Sequence, residues 1–201
     1  MVEHTNSRRK SRRRTTRHFN VWPIIFGPIG VTALMVAIIA FLALRNRPER
    51  VAFEPNTEAG TAALAAVQTF PDQGRQHVNP GEAVDYDSDF PTSGPHDPNP
   101  VMPGIYTDVQ RPEQLVHSLE HGNIVIYYDQ PEAETMKALE SWADQFSDPW
   151  EGIVVVPQAG LGAEIVLTAW TKKLVMLEFD PRAAATFIDE YRGRGPENPV
   201  R

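Results

Sequence analysis

A chain of 201 residues with a formal net charge of −7 suits one modest domain plus attachments. Its lack of any cysteine excludes disulfides, thiolate zinc sites, iron–sulfur clusters, type I copper sites and thiol catalysis. Charge is unevenly spread: residues 1–20 carry seven basic side chains against Glu3, whereas 24 acids face 9 bases from Val51 onward, a net −15. An outer part that acidic repels a phosphate backbone, which argues against nucleic acid as its partner.

The basic head, 1–20, runs into 21–44, VWPIIFGPIGVTALMVAIIAFLAL, which is 24 residues without a charge. About 20 apolar residues cross a bilayer as a helix, so this segment is predicted to span one. Pro23 and Pro28 lie near its start, where a missing backbone N–H matters least, and Trp22 sits at interface depth. Arginines crowd the N-terminal flank, so the positive-inside rule leaves the head in the cytoplasm and puts everything after residue 44 outside. The run is too long for a signal-peptide core, and its exit, LALRNRPER, is a poor cleavage site. The lipid bilayer is thus an expected partner, and the cell membrane the expected location.

Residues 45–69, punctuated by Pro48, Pro55 and Gly60, read as a stalk that need not pack on anything. The domain proper is expected over 70–196. Between 71 and 101 there are nine prolines or glycines, so this stretch reads as a long loop with at most short strands around Gln76–Val78 and Val84–Tyr86. Gly104–Thr107 reads as a short strand, and Pro112–His121 as a three-turn helix between a proline suited to its first position and a glycine stop.

Apolar, β-branched runs mark strands at Ile124–Asp129 and Gly152–Pro157, with the amphipathic helix Glu132–Phe146 between them. Strands at Glu164–Trp170 and Leu174–Phe179 follow, and the turn lengths predict hairpins joining the last three strands. A helix from Pro181 to Tyr191 and an unpaired tail, 197–201, complete the chain. The expected fold class is α+β: a compact mixed or antiparallel sheet with two covering helices and a long N-terminal loop region, preceded by one transmembrane helix.

Chemistry concentrates between Phe90 and Asp129. His117 and His121 stand one turn apart on one helix face, a two-ligand arrangement for a metal ion. On a strand the same pair would be about 13 Å apart, too far to share an ion. His96 and His77 are the other histidines outside the apolar run and its basic head, and all four imidazoles suit copper, zinc, nickel or iron. Met102 could add a soft ligand. Against this stands the plainer account, in which the histidines are hydrogen-bonded scaffold pinning the long loop.

His117-Ser118-Leu119-Glu120-His121 also spells H-x-x-E-H, in which Glu120 would be the general base of a zinc hydrolase. Such peptidases need a larger substrate-holding scaffold and a distant acidic ligand. Asp85, Asp87 and Asp89 lack the glycine and closing glutamate of an EF-hand, and read as a solvated acidic run. Ser93 and Ser118 lie near histidines without a nucleophile elbow, and no glycine loop for a nucleotide cofactor is present.

The segments PTSGPH (Pro91–His96), GIY (Gly104–Tyr106) and VHSLEHGNIVIYY (Val116–Tyr128), in that order, resemble a bacterial family defined by a domain of unknown function numbered 3105. The resemblance covers roughly Phe70 to Pro196. It implies a single-pass membrane protein with the domain outside, an upstream histidine matched by His77, and a late Ala169–Trp170 pair. Phe90 stands where many members have a further proline. No reaction follows from the resemblance, but it groups His77, His96, His117 and His121 as one set. The sequence therefore points to a membrane-anchored extracytoplasmic domain holding copper or zinc for binding or delivery. The alternatives are a metal-free envelope interaction or structural module and, less favoured, a zinc hydrolase using Glu120. It names no protein partner.

Overall fold

The computed structural model describes residues 28–45 and 50–201. The chain divides into two units, 1–47 and 48–201. In the first, helix α1 (Pro28–Arg45) covers the later part of the predicted membrane span, and Val21–Gly27 lie outside the described residues. Among the described residues no helix is long and apolar enough to cross a membrane. At about 1.5 Å per residue, the 18 residues of α1 reach about 27 Å, just short of a hydrocarbon core of about 30 Å. Leu34, Val36, Ile39 and Phe41 on α1 are exposed.

The second unit is α+β. It contains α2 (Glu58–Ala63), a 3-10 turn, and strands β1 (Gln68–Thr69) and β2 (Gly104–Ile105), followed by α3 (Pro112–His121) and β3 (Ile124–Tyr128). Then come α4 (Ala133–Gln145), β4 (Ile153–Pro157), β5 (Ile165–Ala169), β6 (Lys172–Met176) and α5 (Pro181–Tyr191). The six strands form one mixed sheet in the order β1-β6-β5-β3-β4-β2. β3 pairs in parallel with β4, with Ile124 opposite Ile153, and antiparallel with β5, with Ile126 opposite Leu167.

One expected hairpin is therefore absent. β5 and β6 do form one, but β3 lies between β4 and β5. A turn length constrains chain direction and does not identify which strand fills the neighbouring position; here the apolar strand IVIYY takes it. β6 also starts earlier than expected: Lys172 and Lys173 pair with Thr69 and Gln68 of β1, and Thr171 takes the left-handed turn position at φ 60°.

Strand alternation sends two sets of side chains to opposite faces. Ile124, Ile126, Ile153, Val155, Ile165 and Leu167 meet Leu139 and Trp142 of α4 and Phe187 and Ile188 of α5. Val125, Tyr127, Val154, Val156 and Val166 meet Leu115 and Leu119 of α3. A third helix thus covers the sheet where two were expected.

The predicted stalk is packed. Phe53 meets the Trp142 and Phe146 rings edge-on, at centroid distances of 5.5 and 4.8 Å. The Asn56 amide donates to Thr186 Oγ1 at 3.1 Å, and Gly60 is buried where a Cβ would collide with Thr186 and the Arg182 carbonyl. The stretch escapes a periodicity reading because it docks through isolated residues rather than a repeating apolar face.

Candidate metal centre

The centre is built on α3. Pro112 occupies the first turn, and Gly122 ends the helix at φ 105°, with its N–H on the Leu119 and Ser118 carbonyls. Its apolar residues Leu115 and Leu119 face the sheet, yet Glu113, His117, Ser118 and Glu120 are buried too. The long loop and the C-terminal tail cover that second side. Ser118 Oγ donates to the Val101 carbonyl at 2.7 Å, the Val84 amide donates to Glu113 Oε1 at 2.9 Å, and the Glu197 amide donates to the Glu120 carbonyl at 3.3 Å.

The loop brings His77 and His96 together without forming strands. The Val78 amide donates to the His96 carbonyl at 2.8 Å and the His96 amide to the Gln76 carbonyl at 2.9 Å, a single parallel bridge. This bridge takes the place of the strand expected at Gln76–Val78; Val84–Tyr86 is not a strand either. Prolines and glycines between these segments prevent the ladder from extending.

Ring centroids are 5.0 Å apart for His77 and His96, 4.9 Å for His77 and His117, 4.9 Å for His96 and His117, and 4.7 Å for His117 and His121. The four histidines singled out by sequence thus lie side by side. One donor set comprises His77, His96, His117 and Glu120, with ligand atoms within 4.8 Å of one another. A tetrahedral ion at about 2.0–2.1 Å from nitrogen needs donors about 3.3 Å apart, so a modest contraction closes this set. A second set comprises His117, His121 and Glu197.

Two rings are held in the way metal-binding imidazoles usually are. His96 Nδ1–H donates to the Gly94 carbonyl at 2.8 Å and His117 Nδ1–H to the Asp97 carbonyl at 2.8 Å. A carbonyl only accepts, so the proton is on Nδ1 and Nε2 faces the cluster. His96 Nε2 lies 3.0 Å from Glu120 Oε2, and His96 is fully buried. Burial pushes His117 down to about 4, so its ring stays neutral in ordinary buffers.

Asp97 holds the carbonyl that holds His117. Its carboxylate accepts from the Gly81 amide at 2.8 Å and the Asn99 amide at 2.9 Å, and pairs with Arg111 at 3.3 Å. Those backbone donors, Gly81 foremost, keep its carboxyl below the usual carboxylate range. His121 is stacked on Trp150 at 4.1 Å, and its Nδ1 is buried without a hydrogen-bond partner. Met102 is half exposed, and its carbonyl accepts from the Tyr106 hydroxyl. The two serines serve the scaffold: Ser93 Oγ donates to the Pro71 carbonyl and Ser118 Oγ to that of Val101.

Glu197 is the donor that the sequence reading missed, because it lies in the tail expected to be unpaired. Its Oε2 is 3.1 Å from His121 Nε2 and 3.8 Å from His117 Nε2. Arg201, also in that tail, pairs with Asp189 at 2.9 Å. The available signal was local: Gly195 and Pro196 turn the chain immediately before an acid. An open cleft of about 710 Å³ adjoins the cluster, lined by Asp72, Gly74, Arg75, Gln76, Glu120 and Glu197 among others.

Residues 77–201 match a family model described as Protein of unknown function (DUF3105). The chain belongs to the DUF3105 family. The DUF3105 match begins at His77 and runs through Glu197, so it contains every member of both donor sets. No curated protein and no solved structure matches the chain.

Proposed function

We propose that this DUF3105 domain holds one transition-metal ion, copper(II) or zinc, at His77, His96, His117 and Glu120, for binding or delivery rather than turnover. The observation that carries this reading is the pair of backbone carbonyls, from Gly94 and Asp97, that fix the Nδ1 protons of His96 and His117. They leave both Nε2 atoms free to serve a donor set that includes the Glu120 carboxylate, the second-sphere arrangement typical of metal-ligating histidine. Three imidazoles and a carboxylate form a borderline donor set without soft sulfur, which suits zinc or copper(II) over copper(I). Turnover is disfavoured because Glu120 is engaged by His96 instead of standing free as a base.

A metal-free envelope module is the second reading. One observation favours it: the 3.0 Å contact of His96 with Glu120 already gives both buried groups a partner. Elemental analysis of the purified full-length protein separates the two. Near-stoichiometric copper or zinc in the wild type, lost in the double variant His96→Ala, His117→Ala, supports the metal reading. Equal metal content in both proteins sinks it.

We further propose that residues 21–44 anchor the chain in the cell membrane with the domain outside. The uncharged 24-residue run, the arginines before it and the exposed apolar side chains of α1 support this. Recovery of the protein in alkali-washed membranes, with the C-terminus open to external protease, is the expected result. Release by the alkaline wash would exclude the anchor.

A further inference from the structure

The two donor sets meet at His117, and this residue can serve only one ion at a time. Its Nδ1–H is committed to the Asp97 carbonyl at 2.8 Å, which leaves Nε2 as its single lone pair. The sets differ in access. The inner one has three buried donors, His96 fully so, and meets solvent through exposed His77 and the cleft-lining Glu120, whereas the outer one has only His117 buried, and the side chain of its Glu197 is 41 % exposed and lines the same cleft. They also differ in completeness. Four donors close a tetrahedron, while His117, His121 and Glu197 leave one position for water or for a donor on an incoming carrier.

The outer donors are placed and yet lightly held. Glu197 is brought in by Gly195, which sits against α3 where a Cβ would run into the Glu120 carbonyl and the Gly122 amide. His121 is positioned by its stack on Trp150, but its buried Nδ1 has no acceptor to fix the tautomer, unlike those of His96 and His117. A ligand without that anchor binds a metal more weakly, which suits transient capture.

We propose that the outer set captures a divalent transition-metal ion from the cleft and passes it to the inner set by a pivot about His117, so that one ion is carried in two alternative positions. This rests on the metal-binding reading above. In the transfer the bonds from the ion to His121, Glu197 and the water in its fourth position break, bonds to His77, His96 Nε2 and Glu120 form, and His117 Nε2 stays bound. The contact between His96 Nε2 and Glu120 Oε2 opens as both turn to the ion, any proton on it leaves to water in the cleft, and no electrons move. In reverse, the same exchange returns the ion to the open position, from which an acceptor can take it.

The test uses full-length protein with Cu²⁺ as probe. Loading is followed by stopped-flow tryptophan quenching, and coordinated imidazoles are counted by pulsed electron paramagnetic resonance. Wild type is expected to bind one ion with three imidazoles. Glu197→Gln and His121→Ala should reach the same three-imidazole state with loading about tenfold slower, as expected when a charged capture site is lost. Gly195→Ala, which lifts the tail without deleting a donor, should also load slowly. The double variant His77→Ala, His96→Ala should strand one ion on two imidazoles. Two ions per wild-type chain, wild-type loading rates in Glu197→Gln and His121→Ala, or no ion in the stranding variant would overturn the relay while leaving the inner site standing. No copper in the wild type would overturn both readings.

Discussion

On one face of the sheet, α4 and α5 close over an unbroken apolar layer that includes Trp142, Phe187, Leu139 and Ile188. On the other face, α3 contributes Leu115 and Leu119 to a smaller layer and turns its remaining side toward polar groups: His117, Glu120, Asp97 and the loop carbonyls. The first face is stabilised by burial, which is non-directional and tolerant of small shifts. The second depends on hydrogen bonds that fix ring orientation within tenths of an ångström. Stability and metal chemistry should therefore be separable by mutation.

The largest expected effect is on the apolar face. Phe187→Ala empties a fully buried position and should cost about 3–5 kcal/mol in urea unfolding, with the folded fraction still binding metal normally. A cost under about 1 kcal/mol, or a metal-free folded variant, would break the separation. Stripping the metal with a chelator should lower the unfolding free energy by about 2.7 kcal/mol if the free ion stood at 100 times its dissociation constant. An unchanged melting temperature on removal would show that the polar face does not use an ion for stability.

Asp97→Asn leaves every direct ligand in place but weakens the acceptor that orders the carbonyl behind His117. Metal affinity should fall about 10–100-fold, read by competition titration, with a small change in stability. An unaltered affinity would mean that the anchoring carbonyl is fixed by other contacts.

The subtlest test is pH. His117 stands near 4 in the fold against an ordinary value of 6.5, so between those values the unfolded chain binds the extra proton. Stability of the metal-free protein should therefore fall as pH drops from about 6.5 toward 4, by at most about 1.4 kcal/mol per pH unit from this group. His117→Gln should flatten that part of the profile. Identical slopes for the two proteins would remove His117 as the cause.

Elements punctuated by local chemistry were legible in the sequence. The predicted bounds of α3, Pro112 to His121, coincide with the observed ones because a proline start and a glycine stop act within a few residues. Once that helix is right, His117 and His121 must share a face. What was hidden depends on partners far along the chain. The insertion of β3 between β4 and β5, the docking of Phe53 on Trp142 and the return of Glu197 to α3 carry no periodic pattern. Each is chosen by competition among distant surfaces, which a window of neighbouring residues does not contain. The shortfall in the expected membrane span is a matter of length: the described helix starts at Pro28, seven residues after the apolar run begins.

The parallel bridge between His77 and His96 has a kinetic side. The bridge itself rests on two backbone hydrogen bonds, at the amides of Val78 and His96, while α3 supplies His117 and Glu120 from across the gap. An ion seated there would rivet loop to helix, so deuterium uptake at those two amides becomes a clock for occupancy: quick when the nest is vacant, slow when it is filled.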